Sequence, residues 1–120
     1  MTSYKKAIGD LGEDLAVKYL EESGYKINDK NFRCRCGEID IIGTDDSIIA
    51  FIEVKTRYCY TYGSPMEAIN YMKIKKIQKT AQFYILKNKL FYHNFRFDII
   101  EILLNKTNDK ISINLVKNAF

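Results

Sequence analysis

Two apolar runs around a short polar turn, "GEIDIIGTDDSIIAFIEVKT" at residues 37–56, constrain the fold more than any other stretch. Each run is rich in Ile and Val, and Gly-Thr-Asp-Asp-Ser separates them, which is the signature of a β-hairpin. With Asp46 and Ser47 as a two-residue loop, Asp45 faces Ile48 and Asp40 falls opposite Glu53; a bulge would move that register by one. The second run also breaks its own pattern. Glu53 and Lys55 interrupt "FIEVKTR", and side chains two apart in a strand leave from the same face. Ile52 and Val54 then serve the core, while a carboxylate and an ammonium share the other side.

The remaining chain supplies the elements to pack on this hairpin. Ser3 to Ser23 is predicted helical: Ile8, Leu11, Leu15 and Tyr19 recur at spacings of three and four, and Gly24 ends the run. Gly9 and Gly12 lie on one stripe with Glu13, Ala16 and Leu20. Small residues there predict close approach to a sheet, with Glu13 at the edge of the packed face. Tyr25–Ile27 and Asn31–Arg35 read as extended. "SPME" is a capping box with Ser64 as N-cap, Pro65 at the first helical position and Glu67 at the third. Helical spacing continues through Ile74, Ile77, Ala81, Tyr84 and Ile85, with a break expected near Asn70. "FRFDIIEILL" and "KISINLV" flank the polar turn "NKTND" and predict two further strands. The sum is an α/β chain built as a single domain over residues 1–120 around one mixed sheet.

Composition limits the functional classes. At 47% hydrophobic residues in 120, the chain can bury one modest core, and no apolar run approaches the roughly 20 residues of a membrane span. The N-terminus turns acidic where a signal peptide becomes apolar, and three cysteines form no disulfide framework, so a reducing, cytoplasmic setting is expected. Net charge is +4 but unevenly placed. Between Val54 and Leu90, eight Lys or Arg face one acid, giving +7 and leaving −3 elsewhere. A basic stripe beside an acidic region suits a polyanion-binding surface with a cation site; a solvated lysine-rich helix face is the plainer account of the same run.

Opposed carboxylates repel unless something positive lies between them, and a hard divalent cation such as Mg²⁺ needs only one or two protein carboxylates. Lys55 beside such a pair can hold a water or steady charge developing on a phosphate. Together these groups suit phosphodiester hydrolysis. A structural Glu53–Lys55 pair on a solvated sheet face would use the same residues. Cys34, Cys36, Cys59 and His93 could be counted as zinc ligands, but Cys-x-Cys along a strand is not zinc-knuckle spacing, and the cysteines read as small semi-buried hydrophobes.

"GEIDII" followed by "FIEVKTR" resembles the Asp…Glu-x-Lys core of the PD-(D/E)xK nuclease superfamily. With "GDLGEDLAVKYLEESGY", "NFRCRCGEIDII", "GSPMEAI", "KIKKIQKTAQFYI" and "FRFDII", the chain more narrowly resembles the YraN-like family of small bacterial proteins, over most of Gly9 to Ile100. That family is similar to archaeal Holliday-junction resolvases. The resemblance implies a restriction-endonuclease-like mixed β-sheet flanked by helices. It implies Mg²⁺ or Mn²⁺ on Asp40 and Glu53 with the Val54 carbonyl, Lys55 placing the attacking water, and Glu13 as the helix-borne carboxylate. The motif's proline is replaced by Ile39. Expected substrates are branched or otherwise non-B-form DNA, cut by a metal-dependent endonuclease; a nucleic-acid-binding module without turnover, or a domain docking an acidic protein, are the alternatives. Arg33, Arg57, Lys73 and Lys76 are candidate phosphate contacts, and Gln82 a candidate auxiliary residue. Tyr58, Tyr60 and Tyr62 could stack on splayed bases. Arg96 and Asp98 are expected to pair structurally. A symmetric junction would suit a homodimer.

Overall fold

The computed structural model describes residues 2–58, 70–105 and 110–120, except for the side chains of residues 2–6 and of Tyr58. Helix α1 (Thr2–Glu22) leads into β1 (Lys26–Cys34), β2 (Gly37–Asp45) and β3 (Ile48–Tyr58); α2 (Tyr71–Asn88) then precedes β4 (Asn94–Leu104) and β5 (Ile111–Val116). The five strands form one sheet in the order β1-β2-β3-β4-β5. All neighbours are antiparallel except β3 and β4, which run parallel because α2 lies on the connection between them. The result is a mixed α/β sheet with two helices, compatible with a restriction-endonuclease-like fold.

Local chemistry explains most of the boundaries. Gly24, at φ 99°, ends α1 in a left-handed turn: Tyr25 N–H returns to the Leu20 carbonyl at 2.9 Å and Gly24 N–H to that of Glu21 at 3.1 Å. Asn70 caps α2 by accepting the Lys73 N–H at 2.9 Å, which is the break expected there. The capping box at Ser64–Glu67 lies outside the described residues. Asp46, at φ 62°, turns the β2–β3 hairpin, and Asp45 pairs with Ile48 as its register requires.

The sheet buries both faces. On one, Ala16 and Leu20 of α1 meet Tyr25, Ile41, Ala50, Ile52, Ile100 and Ile102. On the other, Ile77, Ala81 and Tyr84 of α2 cover Ile39, Ile42, Ile49 and Phe51. Each fully buried Ile or Leu removes apolar surface worth about 1.5–3 kcal/mol from water. At Gly12, α1 lies close against the sheet: a Cβ there would collide with the Thr56 side chain on β3. Gly9 differs from the expectation. Open space surrounds it, and it borders a cavity instead of a packed surface.

The extended segments expected at Tyr25–Ile27 and Asn31–Arg35 join into the single edge strand β1. Its polar middle stays in line because Asn28 accepts from the Thr44 hydroxyl at 2.8 Å and Asp29 from the Tyr84 hydroxyl at 2.9 Å. The register shifts between Ile27 and Asp29, and Asn31 adopts φ 53°. Arg96 and Asp98 do pair, within a larger buried network. Arg96 reaches both Asp98 oxygens (2.8 and 3.0 Å), the Tyr25 hydroxyl (2.8 Å) and Asp45 (2.9 Å), while Asn118 N–H donates to Asp98 at 2.9 Å. The network ties the C-terminal segment to the sheet.

Candidate active site

The site forms where β2 and β3 part. Their backbone pairing runs from Asp45–Ile48 to Ile41–Ile52 in the register expected from the sequence. One step further, the side chain of Asp40 replaces the ladder and accepts the Val54 N–H at 2.8 Å. Asp40 and Glu53 therefore do not face each other as an ordinary ladder pair. They meet through their carboxyl groups, which lie within hydrogen-bonding reach of one another.

A cavity of about 470 Å³ opens over them, lined by Glu13, Asp40, Glu53, Val54, Lys55, Thr56, Arg57 and Lys73, with Ile8 and Gly9 at its edge. A smaller groove of about 230 Å³ approaches the same two carboxyls from the β1–β2 turn, between Gly37 and Glu38 on one side and Lys73, Lys76 and Ile77 on the other. Another cavity, about 510 Å³, belongs to the opposite end of β2 around Asp46, Asn88 and His93. It contains none of the site residues expected from the sequence.

Electrostatics mark the first cavity as a place of unusual charge. Burial, followed by the hydrogen bond to Glu53 and the charge of Glu53, pushes the Asp40 carboxyl up to about 8, outweighing the opposing Val54 N–H and Lys73. A proton held on Asp40 at neutral pH lets its carboxyl sit against that of Glu53. Glu13 on α1 is raised as well, by burial first and by Asp40 next. Lys73 reaches across from α2, with Nζ 3.5 Å from Glu53 Oε2. Lys55 and Lys73 lie close together and hold their protons unequally. Burial and the Lys73 contact lower Lys55, whereas the Lys55 contact and the Glu53 and Asp40 carboxyls hold Lys73 up against the cost of its own burial.

Most of the expected residues converge here: Glu13, Asp40, Glu53, Val54, Lys55, Arg57 and Lys73 share the cavity, and Lys76 lines the smaller groove. Others do not. The Arg33 guanidinium is exposed and engaged with Glu38 at 3.0 Å, at the lip of the groove, because the β1–β2 register places those residues opposite each other. Gln82 lies nine residues beyond Lys73, roughly 14 Å along the helix, beside Phe51, Phe95 and Phe97. The side chain of Tyr58, and Tyr60 and Tyr62 entirely, lie outside the described residues, as does Cys59. Cys34 and His93 are placed toward opposite ends of β2, which separates the candidate zinc ligands.

One residue was missed. Glu101 is buried on β4, and the parallel register sets it beside Lys55 on the same face. Its signal was a carboxylate inside "FDIIEILL", the anomaly that singled out Glu53 in "FIEVKTR".

The comparison with known proteins decides the family. A family model described as "Uncharacterised protein family UPF0102" matches residues 12–102. The chain belongs to this family. UPF0102 relatives include a protein of Clostridium tetani, 58% identical over 120 residues that cover 100% of this chain and 98% of that one. A UPF0102 protein of Clostridium kluyveri is 56% identical with the same coverage, and one of Clostridium novyi is 52% identical over the whole of both chains. The span that defines UPF0102 membership opens one residue before Glu13 and includes Asp40, Glu53, Lys55, Lys73 and Glu101.

The donor set of this UPF0102 chain fits a hard divalent cation. Asp40 and Glu53 present carboxyl oxygens within reach of one another, and a dication between them would displace the proton Asp40 holds and relieve their repulsion. Among the described residues, no three His, Cys, Asp or Glu side chains converge to hold a metal unaided. Such an ion would therefore complete its shell with backbone, water or substrate oxygens, as Mg²⁺ commonly does.

Proposed function

We propose that this protein is a metal-dependent endonuclease that hydrolyses phosphodiester bonds in DNA, with branched or otherwise non-B-form structures as its preferred substrates. The observation that carries this reading is the meeting of Asp40 and Glu53 with two lysines in one cavity. Asp40 and Glu53, with the Val54 carbonyl, would hold Mg²⁺ or Mn²⁺. When bound, that ion supplies Lewis-acid polarisation of the phosphate and a more acidic water.

The chain's own groups cover the remaining needs. Lys55, with its pKa lowered by burial and by its contact with Lys73, is suited to hold the attacking water and take up its proton at Nζ. Lys73 stays charged beside Glu53 and steadies negative charge on the phosphate. Glu13 closes the α1 side of the cavity and orients water from there. Arg57 on one flank and Lys76 on the other are positioned to engage backbone phosphates to either side of the reacting one.

A panel of four-way junction, flap, single strand, duplex and RNA, each with and without Mn²⁺, tests the proposal. Cleavage of at least one DNA substrate only with the metal, lost in Lys55→Ala, is expected. Salt-sensitive binding without cleavage of any substrate would instead favour a nucleic-acid-binding module. Among the described residues no third carboxylate joins Asp40 and Glu53 in a metal-holding group, which favours that second reading. No described helix is long and apolar enough to cross a membrane.

A further inference from the structure

The tip of the β1–β2 hairpin, beyond the groove that leads to the carboxylates, sets two thiols side by side. Cys34 pairs with Gly37, so Arg35 and Cys36 form the two-residue turn between the strands. The turn folds back on itself, and the Cys36 backbone N–H donates to Cys34 Sγ at 3.4 Å. Both cysteines are free; Cys34 is half-buried and Cys36 exposed.

The turn also rests on α2. A Cβ on Gly37 would stand 3.2 Å from Thr80 Oγ1, and Thr80 is fully buried. Its hydroxyl donates to the Lys76 carbonyl at 2.8 Å and is also within hydrogen-bonding reach of the Cys34 sulfur. The N–H groups of Cys36 and Gly37 and the Cys36 thiol thus gather around one sulfur, while the Thr80 proton goes to the Lys76 carbonyl. Against the cost of desolvation, they lower the pKa of Cys34. A cysteine that served only as a small hydrophobe would need no such donors, and a donor-rich, accessible thiol is the reactive kind.

We infer that Cys34 and Cys36 form an oxidisable dithiol that takes a hydroperoxide as oxidant and closes to an intramolecular disulfide. The Cys34 thiolate attacks the terminal peroxide oxygen. The S–O bond forms as the O–O bond breaks, leaving a sulfenic acid on Cys34, and the departing alkoxide or hydroxide takes a proton from solvent. Cys36 then attacks the sulfenic sulfur. The S–S bond forms, the S–O bond breaks, and the hydroxyl leaves as water with the Cys36 proton. Two electrons pass from the sulfurs to the peroxide, and a dithiol reductant returns them.

The full chain carrying Cys59→Ser, so that only these two thiols remain, tests the inference. After one equivalent of hydrogen peroxide, mass spectrometry is expected to find a monomer lighter by about 2 Da, the two hydrogens lost on disulfide closure. The peptide spanning Cys34 and Cys36 is then closed to iodoacetamide and reopened by dithiothreitol. Cys36→Ser in that background should stop at the sulfenic acid or proceed to the sulfinic acid. Two thiols that stay alkylatable, a disulfide between chains, or a sulfinic acid on Cys34 with Cys36 still free would each overturn the dithiol.

Discussion

Replacing Asp40 with Asn should make the protein more stable at alkaline pH, although it removes a central residue of the site. In the folded protein the Asp40 carboxyl is pushed up from 3.8 to about 8 by burial and by Glu53. The unfolded chain releases this proton near pH 4, so between there and pH 8 the folded state holds more protons and stability falls as pH rises. The associated stability is fully present below pH 4 and lost by about pH 8. One proton contributes a slope of about 1.4 kcal/mol per pH unit, which sets a ceiling of roughly 6 kcal/mol across the window. Relaxation and solvent in a site that opens on a cavity reduce that to about 2 kcal/mol between pH 5 and 8. Glu13 is raised for similar reasons and adds to the slope, whereas Asp45, lowered by Lys117 and Arg96, acts below this window. Asn keeps an oxygen for the Val54 N–H and never ionises. Asp40→Asn should therefore match the wild type near pH 5 and exceed it by about 2 kcal/mol at pH 8, measured by urea denaturation in EDTA. A variant equally stable or weaker at pH 8 would refute the account of a proton held on Asp40.

Mg²⁺ or Mn²⁺ should raise the melting temperature of the wild type more at pH 8 than at pH 5, since the proton competes for the same oxygens, and Glu53→Gln should abolish the gain. Asp40→Asn or Lys55→Ala should eliminate metal-dependent cleavage of a four-way junction in a gel assay while leaving binding largely intact. Gly12→Ala should cost about 1–3 kcal/mol through its clash with Thr56, and adding Thr56→Ala should recover much of the loss in a double-mutant cycle. Asp98→Asn should cost about 3 kcal/mol in denaturant unfolding, because the buried Arg96 charge keeps only Asp45 as an anionic partner.

The hairpin was legible because two signals agreed. Alternation set which side chains faced the core, and Asp46-Ser47 set the loop length, so the register along β2 and β3 followed from arithmetic. What lay one step past that register was less legible. The strands part at Asp40, where its side chain occupies the hydrogen-bonding position a backbone group would have taken. The two carboxyls still meet, but periodicity alone does not predict when a side chain displaces a ladder bond. Gly12 and Gly9 shared one helical stripe, yet only Gly12 packs against β3, because spacing gives the face of a residue and not how far along the helix the contact extends.

Longer-range pairing explains the remaining differences. Arg33 is a candidate phosphate contact by charge, and the β1–β2 register sets it beside Glu38 at the groove's lip, while Gln82 shares a helix with Lys73 but lies too far along it. Glu101 carries the more general lesson. Its sequence context matches that of Glu53, a lone carboxylate in an apolar run, and burial of such a group requires a partner whichever strand it occupies. The hairpin made Glu53 interpretable because its partner lay 13 residues away across a turn that could be read locally. The neighbour of Glu101, Lys55, lies 46 residues away across a parallel crossover, and no local rule sets the register of a parallel pair. Charged residues inside strand-like runs are thus informative before any fold is known, but identifying what they face depends on whether the connection is a turn or a crossover.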